Sequence, residues 1–185
     1  RGAEIMARGN RGPQAEAMLD LLWSRARQGA LSAAASLDVG RALCHLGREA
    51  EAVPHFETAL RGKLPRSARA DALAWLARCA LTRIEGLTQA RRPQAAIEVV
   101  AAFLTRHRGL VPLAAVEPEG EAHRRAAYFA NLRLGRIMAA AGEMARASGQ
   151  VYVDHAIELL SRAIRLEPDR PEPWTALAPL LVTHQ

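Results

Sequence analysis

A short pattern of small and bulky residues recurs along the chain and limits it to paired helices. Its first copy reads Gly40, Leu43, Gly47, Ala52, Phe56, Ala59 and Leu60. Its second reads Leu134, Gly135, Met138 and Gly142, then Ala156, Leu160, Ala163, Ile164 and Pro168. A third begins Trp174, Leu177, Ala178, Leu181. Spacings of three and four place these residues on one face of a helix. Glycine or alanine on that face lets a second helix backbone come close, and a bulky residue on the partner fills the space. Alternating β-branched runs are nearly absent, while Ala and Leu, both good helix formers, are abundant. The chain is therefore read as all-α.

The pattern resembles the tetratricopeptide repeat (TPR), a helix–turn–helix unit with the signature W-x2-L-G-x2-Y, then A-x3-F, then P. The resemblance spans Leu31 to Leu181, interrupted by insertions. It implies antiparallel helix–turn–helix repeats stacked as a right-handed α-solenoid whose hollow side holds another protein. On this reading Gly40, Ala77, Gly135 and Ala178 are the small residues of the first helices. Ala52, Ala96 and Ala156 face them, and Phe56 and Leu160 fill the gap between successive units.

A single domain over 1–185 follows, with a helix at 13–28, repeats at 31–65 and 66–108, a loop at 109–120, a repeat at 121–168 and a partial repeat or cap at 171–185. Met18, Leu19, Leu22 and Trp23 give the first helix its apolar face. Ser32 is placed to cap the next helix, and Gly47 to turn the chain. Pro54 is expected to delay or bend the partner helix, since an interior proline costs about 3 kcal/mol. Pro93 suits the first position of a helix. The interval from Ala52 to Ala96 exceeds the roughly 34 residues of an ordinary unit by about ten, and extra helical turns around 81–90 would absorb it. A long connection is expected between the third pair, over 143–153, and a proline turn over 167–171. Pro179 is expected to break the last helix early. The apolar run Leu180-Leu181-Val182 differs from the polar face that normally ends an array, which implies a truncated chain or an end that packs on something else.

The chain has 185 residues, 50% hydrophobic and 24% charged, enough to bury a core. Its net charge of +6 admits an anionic partner. All but one of the 25 basic residues are arginine, Lys63 being the exception. Such a bias, with so much alanine, is what a GC-rich bacterial genome would give. Cys44 and Cys79 lack a C-x-x-C spacing and read as small buried side chains rather than a disulfide or metal site. That fits a reducing, cytoplasmic setting. No apolar run is long enough to span a membrane, and no secretory signal is visible.

The resemblance also points to a ligand groove. Arg41, Arg78 and Arg136 each follow a small packing residue, at the position that faces the concave side in this family. Leu37, His45, Ala74, Thr82, Phe129 and Leu132 share that register. Guanidinium groups grip carboxylates in a two-pronged geometry, so an acidic, partly apolar peptide segment would suit the surface. The family's carboxylate clamp of lysines and asparagines is not reproduced by Lys63 and Asn131.

Other chemistry is thinly represented. The six histidines form no H-E-x-x-H, and no cysteine lies close to one in a zinc-type motif. Asp154, His155 and Glu158 read as a surface cluster, because a metal needs further ligands. No cofactor is implied: the phosphate-cradling glycine loop, the dinucleotide fingerprint and the G-x-S-x-G elbow are absent. The pairs Arg91-Arg92 and Arg124-Arg125 and the run Arg106-His107-Arg108 lack interleaved aromatics, a weak nucleic-acid signal. The reading is a non-enzymatic scaffold that binds a protein or peptide. Two others compete with it: a repeat domain serving a catalytic unit outside this chain, and nucleic-acid binding through arginine. The oligomeric state is not legible.

Overall fold

The computed structural model describes residues 31–107, 109, 114, 116–145 and 149–183, together with Ala17 and Asp20. The helix expected over 13–28 lies outside this set apart from those two positions. Among the described residues there are seven long helices and no strand: α1 (Ala33–His45), α2 (Glu49–Arg61), α3 (Arg66–Gln89), α4 (Pro93–His107), α5 (Glu121–Ala145), α6 (Gln150–Leu166) and α7 (Pro171–Thr183). Each packs on the next in sequence, and α3 also packs along α5.

The helix boundaries follow local chemistry. Ser32 accepts a hydrogen bond from the Ala35 amide at 3.2 Å and caps α1. Gly47, at φ +73°, reverses the chain into α2 in a conformation that costs glycine little. Pro93 and Pro171 open α4 and α7, where a missing N–H is harmless. Helix α3 has 24 residues, so extra turns do lengthen the second pair. The connection from α5 to α6 is shorter than expected, since α5 runs to Ala145 and α6 begins at Gln150.

The expected delay of α2 at Pro54 and the expected early break of α7 at Pro179 both fail, for one reason. Helix α2 starts at Glu49 and runs through Pro54, and α7 runs through Pro179. Both prolines are exposed, as are Ala50 and Thr175, whose carbonyls lose their helical partner. Water can hydrate those carbonyls, which lowers the cost of the break.

The core joins neighbouring helices through small residues. A Cβ on Gly40 would lie 2.6 Å from Phe56 Cε1, and one on Gly135 would lie 2.8 Å from Leu160 Cγ. Ala52, Phe56, Ala156 and Leu160 are each fully buried. In α3, Ala70 and every residue from Ala72 to Ala77 are buried, so this half of the helix is enclosed on all sides. Asn131, also fully buried, donates at 2.8 Å to the carbonyl of Ala114 and ties the α4–α5 connection to α5. At the far end Leu180 is buried, whereas Trp174, Leu181 and Val182 are exposed. Among the described residues no helix is long and apolar enough to cross a membrane.

Candidate functional site

Three helices contribute stripes to one surface. On α1 the stripe is Asp38, Arg41 and His45. On α3 it is Asp71, Trp75, Arg78, Thr82 and Glu85, and on α5 it is Phe129, Arg133 and Arg136. Intervals of three, four and seven keep each set on one side of its helix. Bonds between helices then align the stripes. Arg41 pairs with Asp71 across α1 and α3, and its other nitrogen donates to Asp38 Oδ1 at 3.1 Å. Arg133 donates from Nη1 to the Ala74 carbonyl at 2.7 Å. Alanine leaves that backbone open to a guanidinium. Arg136 donates from Nη2 to Glu85 Oε1 at 2.6 Å.

Trp75 lies at the centre. Its ring is 5.2 Å from that of His45, edge on, and 6.4 Å from that of Phe56, nearly parallel. The Arg78 guanidinium carbon sits 4.8 Å from the indole centroid and that of Arg133 at 5.9 Å. Arg133 is also 4.9 Å from the Phe129 centroid. Arg170, in the turn that precedes α7, lies 5.5 Å from the Tyr128 centroid. Such stacking holds cations over negative ring faces.

The charges on this surface are unequal. Arg41 is engaged by two carboxylates and Arg136 by one. Arg78 forms no ion pair and no hydrogen bond among the described residues. Arg133 forms no ion pair there either, and its hydrogen bond goes to a neutral carbonyl. Burial, with the nearby charge of Arg78, lowers the pKa of Arg133 to about 10, while Asp71 acts in the opposite direction. Burial and the neighbouring Glu172 push Tyr128 up to about 12.

The structure thus brings Arg41, Arg78 and Arg136 to one surface, but of these three only Arg78 lacks a carboxylate partner among the described residues. Leu37, Ala74 and Leu132 are 3%, 1% and 7% exposed and belong to the core rather than to a groove floor. Their helices are covered from more than one side, which a one-sided register does not anticipate. His45 is half-buried against Trp75, Phe129 is half-buried beneath Arg133, and Thr82 is exposed. Sequence reasoning missed Arg133 and Asp71. Arg133 stands three residues before Arg136 and four after Phe129, and Asp71 seven before Arg78, so helical spacing alone was enough to nominate them.

The remaining basic groups are dispersed. Arg106 and His107 face Glu57 at 3.3 and 3.4 Å, beside a cleft of about 390 Å³ that Leu60 and Arg61 also line. Arg124 approaches Glu167 at 3.6 Å. Asp154, His155 and Glu158 are exposed, and no group of three or more potential ligands among the described residues could hold a metal. Cys44 and Cys79 are free and buried, as expected, yet their sulfurs lie 3.3 Å apart. No protein-family model matches this chain, and no curated protein matches it.

Proposed function

We propose that the helix pairs stack in the manner of a TPR array and that the chain is a non-enzymatic scaffold, binding a carboxylate-bearing peptide segment on the surface formed by α1, α3 and α5. One observation carries this reading: among the described residues, Arg78 and Arg133 share the Trp75 ring and form no ion pair with a carboxylate. Two crowded, partly buried guanidinium groups favour an incoming anion. A hydrogen bond to a charged group contributes about 1.5–3 kcal/mol, and a bidentate carboxylate can make two. Phe129 and the edge of His45 offer apolar surface beside it.

The flanking charges refine the ligand. Asp71 and Glu85 lie seven residues to either side of Arg78, or about 10 Å along the helix axis. Long acidic runs would meet those carboxylates. A segment with one acidic residue among apolar or neutral neighbours fits better. The dispersal of the other basic groups, several of them facing carboxylates of this chain, favours a peptide over nucleic acid.

A displayed peptide library selected on the intact chain tests the proposal. Selected sequences should carry a recurrent Asp or Glu. Arg78→Gln with Arg133→Gln should weaken their binding at least about tenfold, or roughly 1.4 kcal/mol. Arg136→Gln should matter less. Unchanged affinity in the double variant, with helical content intact by circular dichroism, would rule out this surface.

A further inference from the structure

Cys44 on α1 and Cys79 on α3 are 35 positions apart, and they are the only cysteines of the chain. Each is 4% exposed, and their sulfurs are 3.3 Å apart. A buried residue touches about 6–12 others, so in a chain of this length two given residues meet by chance roughly one time in twenty. Closing the gap to a bonded distance near 2.05 Å needs a movement of only about 1 Å.

We infer that Cys44 and Cys79 form an oxidation site, closed to an intramolecular disulfide by a peroxide, that ties α1 to α3. The step balances as follows. Cys79 Sγ, as thiolate, attacks one oxygen of hydrogen peroxide and breaks the O–O bond. It becomes a sulfenic acid, and the hydroxide released takes up a proton to give water. Cys44 Sγ then displaces the hydroxyl from Cys79 Sγ, forming the S–S bond. The Cys44 proton leaves with that hydroxyl as a second water. Two electrons pass from the sulfurs to the peroxide.

The surroundings assign the roles. The hydrogen bond between the two sulfurs, helped by Arg78 and Arg133, pulls the Cys79 thiol below its usual range despite burial. The same bond, with burial, pushes Cys44 up. Arg78 and Arg133 both favour a thiolate at Cys79, whereas Arg78 alone does so at Cys44, which makes Cys79 the attacking sulfur and Cys44 the resolving one. Peroxide is small enough to enter during brief openings of the α1–α3 seam. This inference does not depend on the peptide surface.

The test exposes the folded chain to hydrogen peroxide, then alkylates it under denaturing conditions and measures its mass. The expected product is a monomer about 2 Da lighter that takes up no alkylating agent. Trypsin should release the peptides Ala42–Arg48 and Cys79–Arg83 joined together. The melting temperature should rise by roughly 5 °C or more and return on reduction with dithiothreitol. In Cys44→Ala, where Arg78 and Arg133 remain beside Cys79 but the resolving thiol is gone, a sulfenic acid on Cys79 should be trapped by dimedone, whereas the intact pair should trap little. Recovery of two free thiols would overturn the inference. So would conversion of either sulfur to sulfinic acid without cross-linking, or cross-linking between chains.

Discussion

Replacing Gly40 with alanine should destabilise the protein, although the same change on an open helix stabilises. In a helix interior alanine is better than glycine by about 1 kcal/mol. At Gly40 the new methyl would sit 2.6, 2.8 and 2.9 Å from three ring carbons of Phe56. That ring is fully buried and runs nearly parallel to Trp75, so it has little room to retreat. Overpacking of this kind costs about 1–3 kcal/mol, so after the helix gain the net effect of Gly40→Ala is a loss of up to about 2 kcal/mol. Gly86 supplies the control. It lies in α3, is exposed, and a Cβ there meets nothing within 4 Å. Gly86→Ala should therefore gain about 0.5–1 kcal/mol. In thermal melts followed by circular dichroism, about 2–4 °C accompanies each kcal/mol at this size, so the two variants should move in opposite directions. Phe56→Leu should recover part of the loss in the double variant, with a coupling of about 1 kcal/mol. If both glycine variants melt above the wild type by similar amounts, the close approach of α1 and α2 is not what glycine serves here.

Asp71→Asn removes the partner of Arg41 and the carboxylate that offsets Arg133; urea denaturation should show a loss of about 1–2 kcal/mol at this half-buried pair. Asn131→Ala deletes the anchor on Ala114, costing about 1–3 kcal/mol and speeding proteolysis near that residue. Burial lowers the pKa of His107, with Glu57 opposing and Arg106 assisting, so the unfolded chain binds the extra proton. Its contribution is full above the unfolded value of about 6.5 and is lost as pH falls through the folded value. Accordingly, stability should drop as pH falls below about 6.5, and His107→Asn should flatten that slope in urea titrations.

Much of the helical layout could be read from the chain because its signals are local. Ser32, Gly47, Pro93 and Pro171 each act within a turn of where they stand, and the small-residue pattern gave the close pairings at Gly40 and Gly135. The prolines were misjudged because their cost depends on which side of the helix faces water, a property of packing. The arginines were only partly legible. That Arg41 and Arg136 are satisfied depends on Asp71 and Glu85, which lie 30 and 51 positions away. The Cys44–Cys79 approach was hidden in the same way. Leu37, Ala74 and Leu132 were assigned to a surface because the register implied by the repeat resemblance names one face of each helix, whereas these helices are covered on several.

The enclosure of α3 bears on how this chain could be divided. This helix packs more extensively along α5 than on α4, its own neighbour in sequence, so the connection between His107 and Glu121 is a break in the chain without being a seam in the core. Nicked there, the two pieces would bare the faces along which α3 and α5 cover one another, and they should find one another again in solution. A split reporter built at that connection would assemble spontaneously, while one divided inside α3 would cut through the enclosed run from Ala72 to Ala77.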